Sequence, residues 1–235
     1  MELEPSMATS GPASDTEGGI SEQEEEEAAG GASVGEEAPS VPRRAQAEGP
    51  MEVTLHPLNS RWALWFFKND RSRAWRDNLQ LVTTFDTVED FWALYNHIQL
   101  PSKLSSGCDY AVFKDGIQPM WEDSRNKKGG RWLVSFSRQG RYSELDRLWL
   151  ETLLCLIGES FEEQSRAVCG AVVNIRTKRD KIALWMREME SQAAVLHIGR
   201  VYKECLDLPT KTIGYQVHAD AATRSNSPVK HKFVL

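Results

Sequence analysis

From about residue 55 onward, apolar residues fall into short segments with two kinds of spacing. Short runs rich in β-branched and aromatic side chains, bounded by polar, Gly or Pro residues, read as strands. They are Arg61–Phe67, Leu79–Phe85, Tyr110–Phe113, Arg131–Phe136, Val168–Ile175, Lys181–Trp185 and Thr212–Val217. Three segments carry the period of a helix. The first is Val88–Ile98, with Thr87 or Asp86 as its cap. The second runs from about Glu144 to Ile157, with Ser143 and Asp146 spaced as a capping box and Gly158 as its stop. The third is about Gln192–Leu206, ended before Pro209. Several neighbouring strands lack a helical crossover, so pairing is expected to be antiparallel. The expected class is α+β with a mainly antiparallel sheet. No internal repeat is visible.

The helices carry more apolar surface than one sheet needs. On the second, Leu145, Leu148, Trp149, Thr152, Cys155 and Leu156 share one stripe. Leu150 and Leu154 point nearly the opposite way, with Gly158 one turn on. On the first, Phe91, Leu94, Tyr95 and Ile98 form the core stripe, while Val88 and Trp92 lie at its edge. Apolar residues off the core face of two helices predict an exposed patch, a common mark of a partner site.

Charge divides the chain. Residues 1–50 hold twelve acids against Arg43 and Arg44, no aromatic residue, and much Gly, Ala, Ser and Pro. Such a segment cannot bury enough apolar surface to offset its ordering entropy, and it reads as a disordered acidic tail. The whole chain is −6 and the tail is −10, so residues 51–235 carry +4. The 51–235 segment is long enough for one domain with a full core, and its mild basicity permits a phosphate-bearing partner. No apolar run reaches membrane-spanning length, and the N-terminus lacks a secretory pattern. Cys108, Cys155, Cys169 and Cys205 are scattered and read as reduced thiols of a cytosolic or nuclear protein. The five histidines include no His-x-x-x-His pair, so no metal and no cofactor is expected.

Two of the eight tryptophans fit no period. Trp75 sits in the polar stretch Lys68–Asn78, and Trp121 sits in Gly116–Asp123 with Glu122 directly after it. Trp62, Trp65, Trp132 and Trp149 fall in strands or a helix and are expected in the core; Trp92 divides between core edge and partner surface. Aromatics on polar loops face ligands more often than core. Two indoles can sandwich a base, and a carboxylate adds selectivity, since guanine alone offers the adjacent N1–H and N2 donors. A positively charged base such as N7-methylguanine adds a cation–π contribution. For phosphates, Arg131 follows a Lys-Lys-Gly-Gly run, and Arg176, Lys178 and Lys181 surround a basic turn. Taken alone, that turn reads as a solvated hairpin tip.

These residues resemble the translation initiation factor 4E family, the messenger-RNA cap-binding proteins, over about residues 55–235. The strings that carry the likeness are His56-Pro-Leu58, Arg61-Trp-Ala-Leu-Trp-Phe-Phe67, Thr87-Val-Glu-Asp-Phe-Trp92, Pro119-Met-Trp-Glu-Asp123, Gly129-Gly-Arg-Trp132, Trp149-Leu-Glu-Thr-Leu-Leu154, Gly170-Ala-Val-Val-Asn174 and His197-Ile-Gly-Arg200. Tryptophan at both 75 and 121 is similar to the class I branch, and the acidic tail with an altered C-terminal segment is similar to the 1B type. The resemblance implies a curved antiparallel sheet with three helices on its convex face and the cap on its concave face. It implies Trp75 and Trp121 as stacking rings, Glu122 as guanine acceptor and Trp185 at the N7-methyl group. Arg131, Arg176 and Lys181 would hold the triphosphate. His56, Pro57, Val88, Trp92, Leu150, Leu154 and Gly158 would dock the scaffold 4G or 4E-binding repressors. The family's phosphoserine would match Ser227, but Pro228 follows it here, a different kinase context. The loop Arg224–His231 also departs from the family pattern.

The function expected is non-enzymatic: binding of capped messenger RNA and of scaffold or repressor proteins by a monomer in the cytoplasm or nucleus. The rival is a general single-strand RNA binder using the same aromatics, which would not need Glu122. An enzyme acting on the cap would need a metal–carboxylate cluster or an activated nucleophile, and no such pairing is visible in the sequence.

Overall fold

Each of the seven expected strands forms, and a short eighth joins them. The structure, a computed structural model, describes residues 54–219 and 231–235. In chain order the elements are β1 (Pro57–Lys68), β2 (Leu79–Thr87), α1 (Val88–His97), β3 (Cys108–Lys114), β4 (Gly130–Phe136), α2 (Gly140–Ser143), α3 (Leu145–Ile157), β5 (Val168–Asn174), β6 (Asp180–Met186), α4 (Gln192–Cys205), β7 (Gly214–Val217) and β8 (Phe233–Val234). The strands form one sheet in the order β2-β1-β3-β5-β6-β4-β7-β8, and every pairing is antiparallel. The expectations for the tail at 1–50 and for Ser227 lie outside the described residues.

Side chains alternate across a strand, so each strand serves two faces. Trp62, Leu64, Val112, Trp132, Val134, Val173 and Leu184 join Phe91, Leu148, Trp149, Ile198 and Tyr202 of the helices in the main core. Their neighbours Ala111, Phe113, Leu133, Val172, Ala183 and Trp185 form a smaller cluster on the opposite, open face. Trp65, expected in the core, is only half-buried at the margin of that open cluster. The parity of β1 explains this: a residue three on from the buried Trp62 lies on the other side of the sheet.

Helix α4 lies directly on β4. A Cβ on Gly199 would come within 2.4 Å of the Trp132 ring, so only glycine lets the helix approach this closely. The Trp132 indole donates to the Val195 carbonyl at 3.2 Å, and Tyr202 and Thr152 share a hydrogen bond at 2.9 Å across α3 and α4.

Thr87 caps α1, accepting from the Asp90 amide at 3.1 Å. The expected capping box on α3 does not form. Residues 140–143 already make a helical turn, so Ser143 lacks the extended backbone that a cap requires. Asp146 instead accepts from the Ser102 amide at 2.8 Å and its hydroxyl at 2.5 Å, pinning α3 to the turn before β3. The helix does stop at Gly158, whose amide bonds Leu154 at 2.9 Å, but the left-handed residue is the following Glu159, φ 49°. Among the described residues no helix is long and apolar enough to cross a membrane, and no cluster of three or more His, Cys, Asp or Glu is placed to hold a metal.

Candidate ligand-binding face

The open face is rimmed by two loops, each fixed from within. In the first, Asp70 accepts from the Ser72 amide at 2.9 Å and hydroxyl at 2.7 Å, and Asn78 donates to the Asp70 carbonyl at 2.8 Å. This frame presents Trp75, which starts a short turn of helix and packs on Phe67 with centroids 5.5 Å apart. The second loop is built on buried Asn126, whose amide donates to the Gln118 and Met120 carbonyls at 2.8 and 2.9 Å. Asp123 adds bonds from the Gln118 and Arg125 amides at 3.0 and 2.9 Å. Trp121 and Glu122 project from it. Trp75 and Trp121 remain 48% and 47% exposed, large values for side chains that would otherwise be buried. A narrow cleft lined by Trp65, Trp75, Ala111 and Pro119 brings the two loops to one site. Glu122 is exposed and has no hydrogen-bond or ion-pair partner among the described residues.

Strand register brings the remaining candidates to the same face. Arg131 of β4 pairs with Trp185 of β6 on one side and Gln216 of β7 on the other. Its guanidinium donates to Gln216 Oε1 at 3.3 and 3.0 Å and lies 5.7 Å from the Trp185 ring centre. Burial lowers its pKa from the ordinary arginine value. Lys181 pairs with Asn174 and Ser135. Its pKa is lowered, first by burial and then by the charges of Arg131, Arg176 and Arg179. Among the described residues Arg131 and Lys181 have no carboxylate within ion-pair distance, and beside Arg176 they make a cluster suited to a multiply charged anion.

Arg176 is partly neutralised. Its guanidinium forms a two-pronged pair with Asp109, Nη2 to Oδ2 at 2.9 Å and Nη1 to Oδ1, and these hydrogen bonds raise its pKa. The basic turn after it is braced as well. Asp180, 1% exposed, accepts twice from Arg141 at 2.6 Å and once from the Arg176 amide at 2.9 Å. A hairpin held this way is more than a solvated tip.

Comparison with known proteins shows the family. The family described as Eukaryotic initiation factor 4E matches residues 57–233. This chain belongs to the eukaryotic initiation factor 4E family. It is 71% identical to human eukaryotic translation initiation factor 4E type 1B, covering 94% of this chain and 98% of the relative. It is 64% identical to human eukaryotic translation initiation factor 4E, covering 81% and 88%. Among solved structures, Ascaris suum eIF4E-3 in complex with an m2,2,7G cap is 50% identical, with a TM-score of 0.72 over 77% of this chain and 99% of that one. Caenorhabditis elegans eIF4E-3 with the 4E-binding protein Mextli and a cap analogue is 48% identical, with a TM-score of 0.71 over 77% and 100%.

On the helix-covered side of this 4E-family chain, two of the residues expected in the patch are open to solvent. Trp92 on α1 is 36% exposed and Leu154 on α3 is 38% exposed. Leu150 is half-buried against the main core and Val88 is half-buried, so the patch is shallower at those two points than helix periodicity implied. The segment leading into β1 is tied to α1. The His56 amide and imidazole both contact the Glu89 carboxylate, at 2.9 and 2.6 Å, and the Val88 amide donates to the His56 carbonyl at 2.9 Å. His56, Pro57 and Gly158 are exposed.

Three residues on or beside the candidate face escaped the sequence reading: Asp109, Gln216 and His218. Asp109 is the first open-face position of β3, which strand parity could have shown. Gln216 and His218 lie at the end of a strand whose faces the sequence alone does not distinguish.

Proposed function

We propose that this chain binds the N7-methylguanosine cap of messenger RNA on the open face and docks helical segments of scaffold or repressor proteins on the helix-covered face. It is a non-enzymatic factor, and it acts in translation initiation. Two half-exposed indoles on braced loops carry this reading: Trp75 lines the cleft, and Trp121 follows Pro119, which lines it too, by two residues.

Trp75 and Trp121 stack on the two faces of the base, each stack contributing about 1–3 kcal/mol. The positive charge of N7-methylguanine strengthens both stacks in a desolvated slot. Glu122 accepts from N1–H and N2–H, which selects guanine over adenine and cytosine. Trp185 faces the N7-methyl group. Arg131, Arg176 and Lys181 take the triphosphate, with Gln216 orienting Arg131 and Asp109 orienting Arg176. On the other face, Trp92 and Leu154 anchor a partner helix in the helix-in-groove mode, with His56, Pro57, Val88, Leu150 and Gly158 around them. The partners are the scaffold 4G and 4E-binding proteins. Cap complexes and a 4E-binding protein complex of the nematode relatives support both halves of the proposal. The chain works in the cytoplasm, with the nucleus as a second compartment.

A general single-strand RNA binder would use the same rings, but sequence-tolerant stacking has no use for an unpaired carboxylate beside one of them. Retention on N7-methyl-GTP resin with elution by N7-methyl-GTP tests the proposal. Equal elution by GTP overturns it.

A further inference from the structure

Helices α3 and α4 meet through a pair of thiols. Thr152 of α3 and Tyr202 of α4 share a hydrogen bond at 2.9 Å. Residues three apart on a helix lie on one side of it, so the next contact along both helices falls at Cys155 and Cys205. The two thiols face each other there, and the Cys155 thiol also lies within hydrogen-bonding reach of Ser160. Cys155 is 4% exposed, whereas Cys205 is half-buried and reachable from solvent. Burial first, and then the Cys205 thiol, push the Cys155 pKa up. The other two cysteines, Cys108 and Cys169, are buried in β3 and β5 and have no thiol neighbour among the described residues.

The pair adjoins the exposed Leu154. The Gly158 amide bonds the Leu154 carbonyl at 2.9 Å, and the Ser160 amide bonds the Cys155 carbonyl at 3.1 Å. Glu159 between them has φ 49°, and its carboxylate accepts from the Ser60 hydroxyl at 2.9 Å. One turn of chain thus holds Leu154, Gly158 and the backbone of Cys155. Helix α3 ends at Ile157 and α4 ends at Cys205 itself. The last four carbonyls of a helix have no partner within it, so its final turn shifts more readily than its middle. Thiols already in contact can close to a bond by adjusting these two final turns, and the turn that holds Leu154 and Gly158 moves with Cys155.

We propose that Cys155 and Cys205 form a paired-thiol site that a hydroperoxide closes to a disulfide, and that the closed bond weakens docking on the helix-covered face. The second half rests on the partner reading; the first does not. Cys205 acts first, because only its sulfur meets solvent. That sulfur attacks the peroxide, the O–O bond breaks, and a sulfenic acid forms with release of an alcohol, or of water from hydrogen peroxide. The Cys155 sulfur then attacks the Cys205 sulfur. The S–S bond forms, the S–O bond breaks, and the Cys155 proton leaves with the hydroxyl as water. The two thiols lose two electrons and one peroxide gains them. Burial keeps Cys155 protonated near neutral pH, so the second step is the slower one.

Peptide mapping of the full chain tests the bond. Reduced protein is treated with hydrogen peroxide, quenched and denatured with N-ethylmaleimide, and digested without reductant. The wild type should give linked peptides holding Cys155 and Cys205, separated by dithiothreitol, with Cys108 and Cys169 alkylated. Sulfinic or sulfonic acid at Cys205 without the link, or a different pairing, overturns the proposal. Calorimetry with a helical 4G-type peptide tests the consequence. The oxidised chain should bind at least about 5-fold more weakly than the reduced chain, the lower end of coupling between linked sites, and dithiothreitol should restore binding. Cys205→Ser should bind the peptide as the reduced wild type does, before and after peroxide. An equal loss in Cys205→Ser, or unchanged affinity in the linked wild type, overturns the coupling. If the reduced wild type does not bind the peptide, the partner reading falls, and the peptide map alone decides the bond.

Discussion

The imidazole of His218 packs against the indole of Trp185, with ring centres 4.1 Å apart. His218 is buried, and its pKa is pushed down to about 3, first by burial and then by the charge of Arg131. The ring is therefore neutral near pH 7, and it backs the Trp185 indole. An unfolded His218 would titrate near 6.5. As pH falls from 6.5 toward 3, the unfolded chain takes up a proton that the folded chain refuses. The stability from this group is complete above 6.5 and is lost below it, at up to about 1.4 kcal/mol per pH unit. His218→Asn should flatten the dependence of urea midpoints on pH in that window. Parallel curves for variant and wild type would show that His218 does not titrate on unfolding.

Trp75→Ala and Trp121→Ala should each abolish retention on N7-methyl-GTP resin and keep a cooperative melt. Both rings are about half exposed, and both loops are braced by Asp70, Asn78, Asp123 and Asn126 rather than by the indoles. Normal retention by either variant removes that ring from the sandwich.

Glu122→Gln tests base selection. A charge-assisted hydrogen bond is about twice as strong as a neutral one, and the substitution also removes a negative charge beside a cationic base. Binding of N7-methyl-GTP should weaken by about 10-fold or more, with the melt unchanged. An equal loss for N7-methyl-ATP would show that Glu122 does not read guanine.

The triphosphate cations should separate by their internal partners. Lys181→Ala should weaken N7-methyl-GTP more than N7-methyl-GMP with little effect on stability. Arg176→Ala should give the same ligand pattern and also destabilise the fold by about 1–3 kcal/mol, because it strands the largely buried Asp109 carboxylate. Isothermal titration with both nucleotides, beside denaturant melts, separates the two outcomes. Equal losses for both ligands would return the turn to a purely structural role.

For the opposite face, Trp92→Ala should remove binding of a helical 4G-type peptide while N7-methyl-GTP binding persists. Interface anchors of this kind cost about 2 kcal/mol or more on truncation. Leu154→Glu is the better companion than a change at the half-buried Leu150, because Leu154 is 38% exposed and should tolerate a charge. Peptide binding that survives both changes overturns the assignment of this patch.

Strand and helix positions were legible because alternation and the 3.6-residue period are local properties. Trp75, Trp121 and Glu122 stood out for the opposite reason, as a pair of large rings and an acid with no period to absorb them. The misreadings all involved partners distant in sequence. Asp146 matched a capping box by spacing, but its carboxylate was taken by Ser102, 44 residues away. Trp65 had the composition of a core residue, and only the phase of β1 relative to its neighbours turned it outward. Arg131–Gln216 and Arg176–Asp109 join strands 85 and 67 residues apart, beyond the reach of any local pattern. Strand β8 has two residues and depends wholly on β7.

Strand β4 places Arg131 on the open face and Trp132, its immediate neighbour, under Gly199 on the helix face. Substitutions at either position can therefore drift separately, one tuning ligand charge and the other helix seating. A deletion or insertion inside the strand has no such freedom. It would shift the phase by one residue, carry the cation under the helix and push the indole out toward the ligand, so that both faces fail in a single event. Inheritance in this domain should thus tolerate changes of spelling within its strands and changes of length only between them.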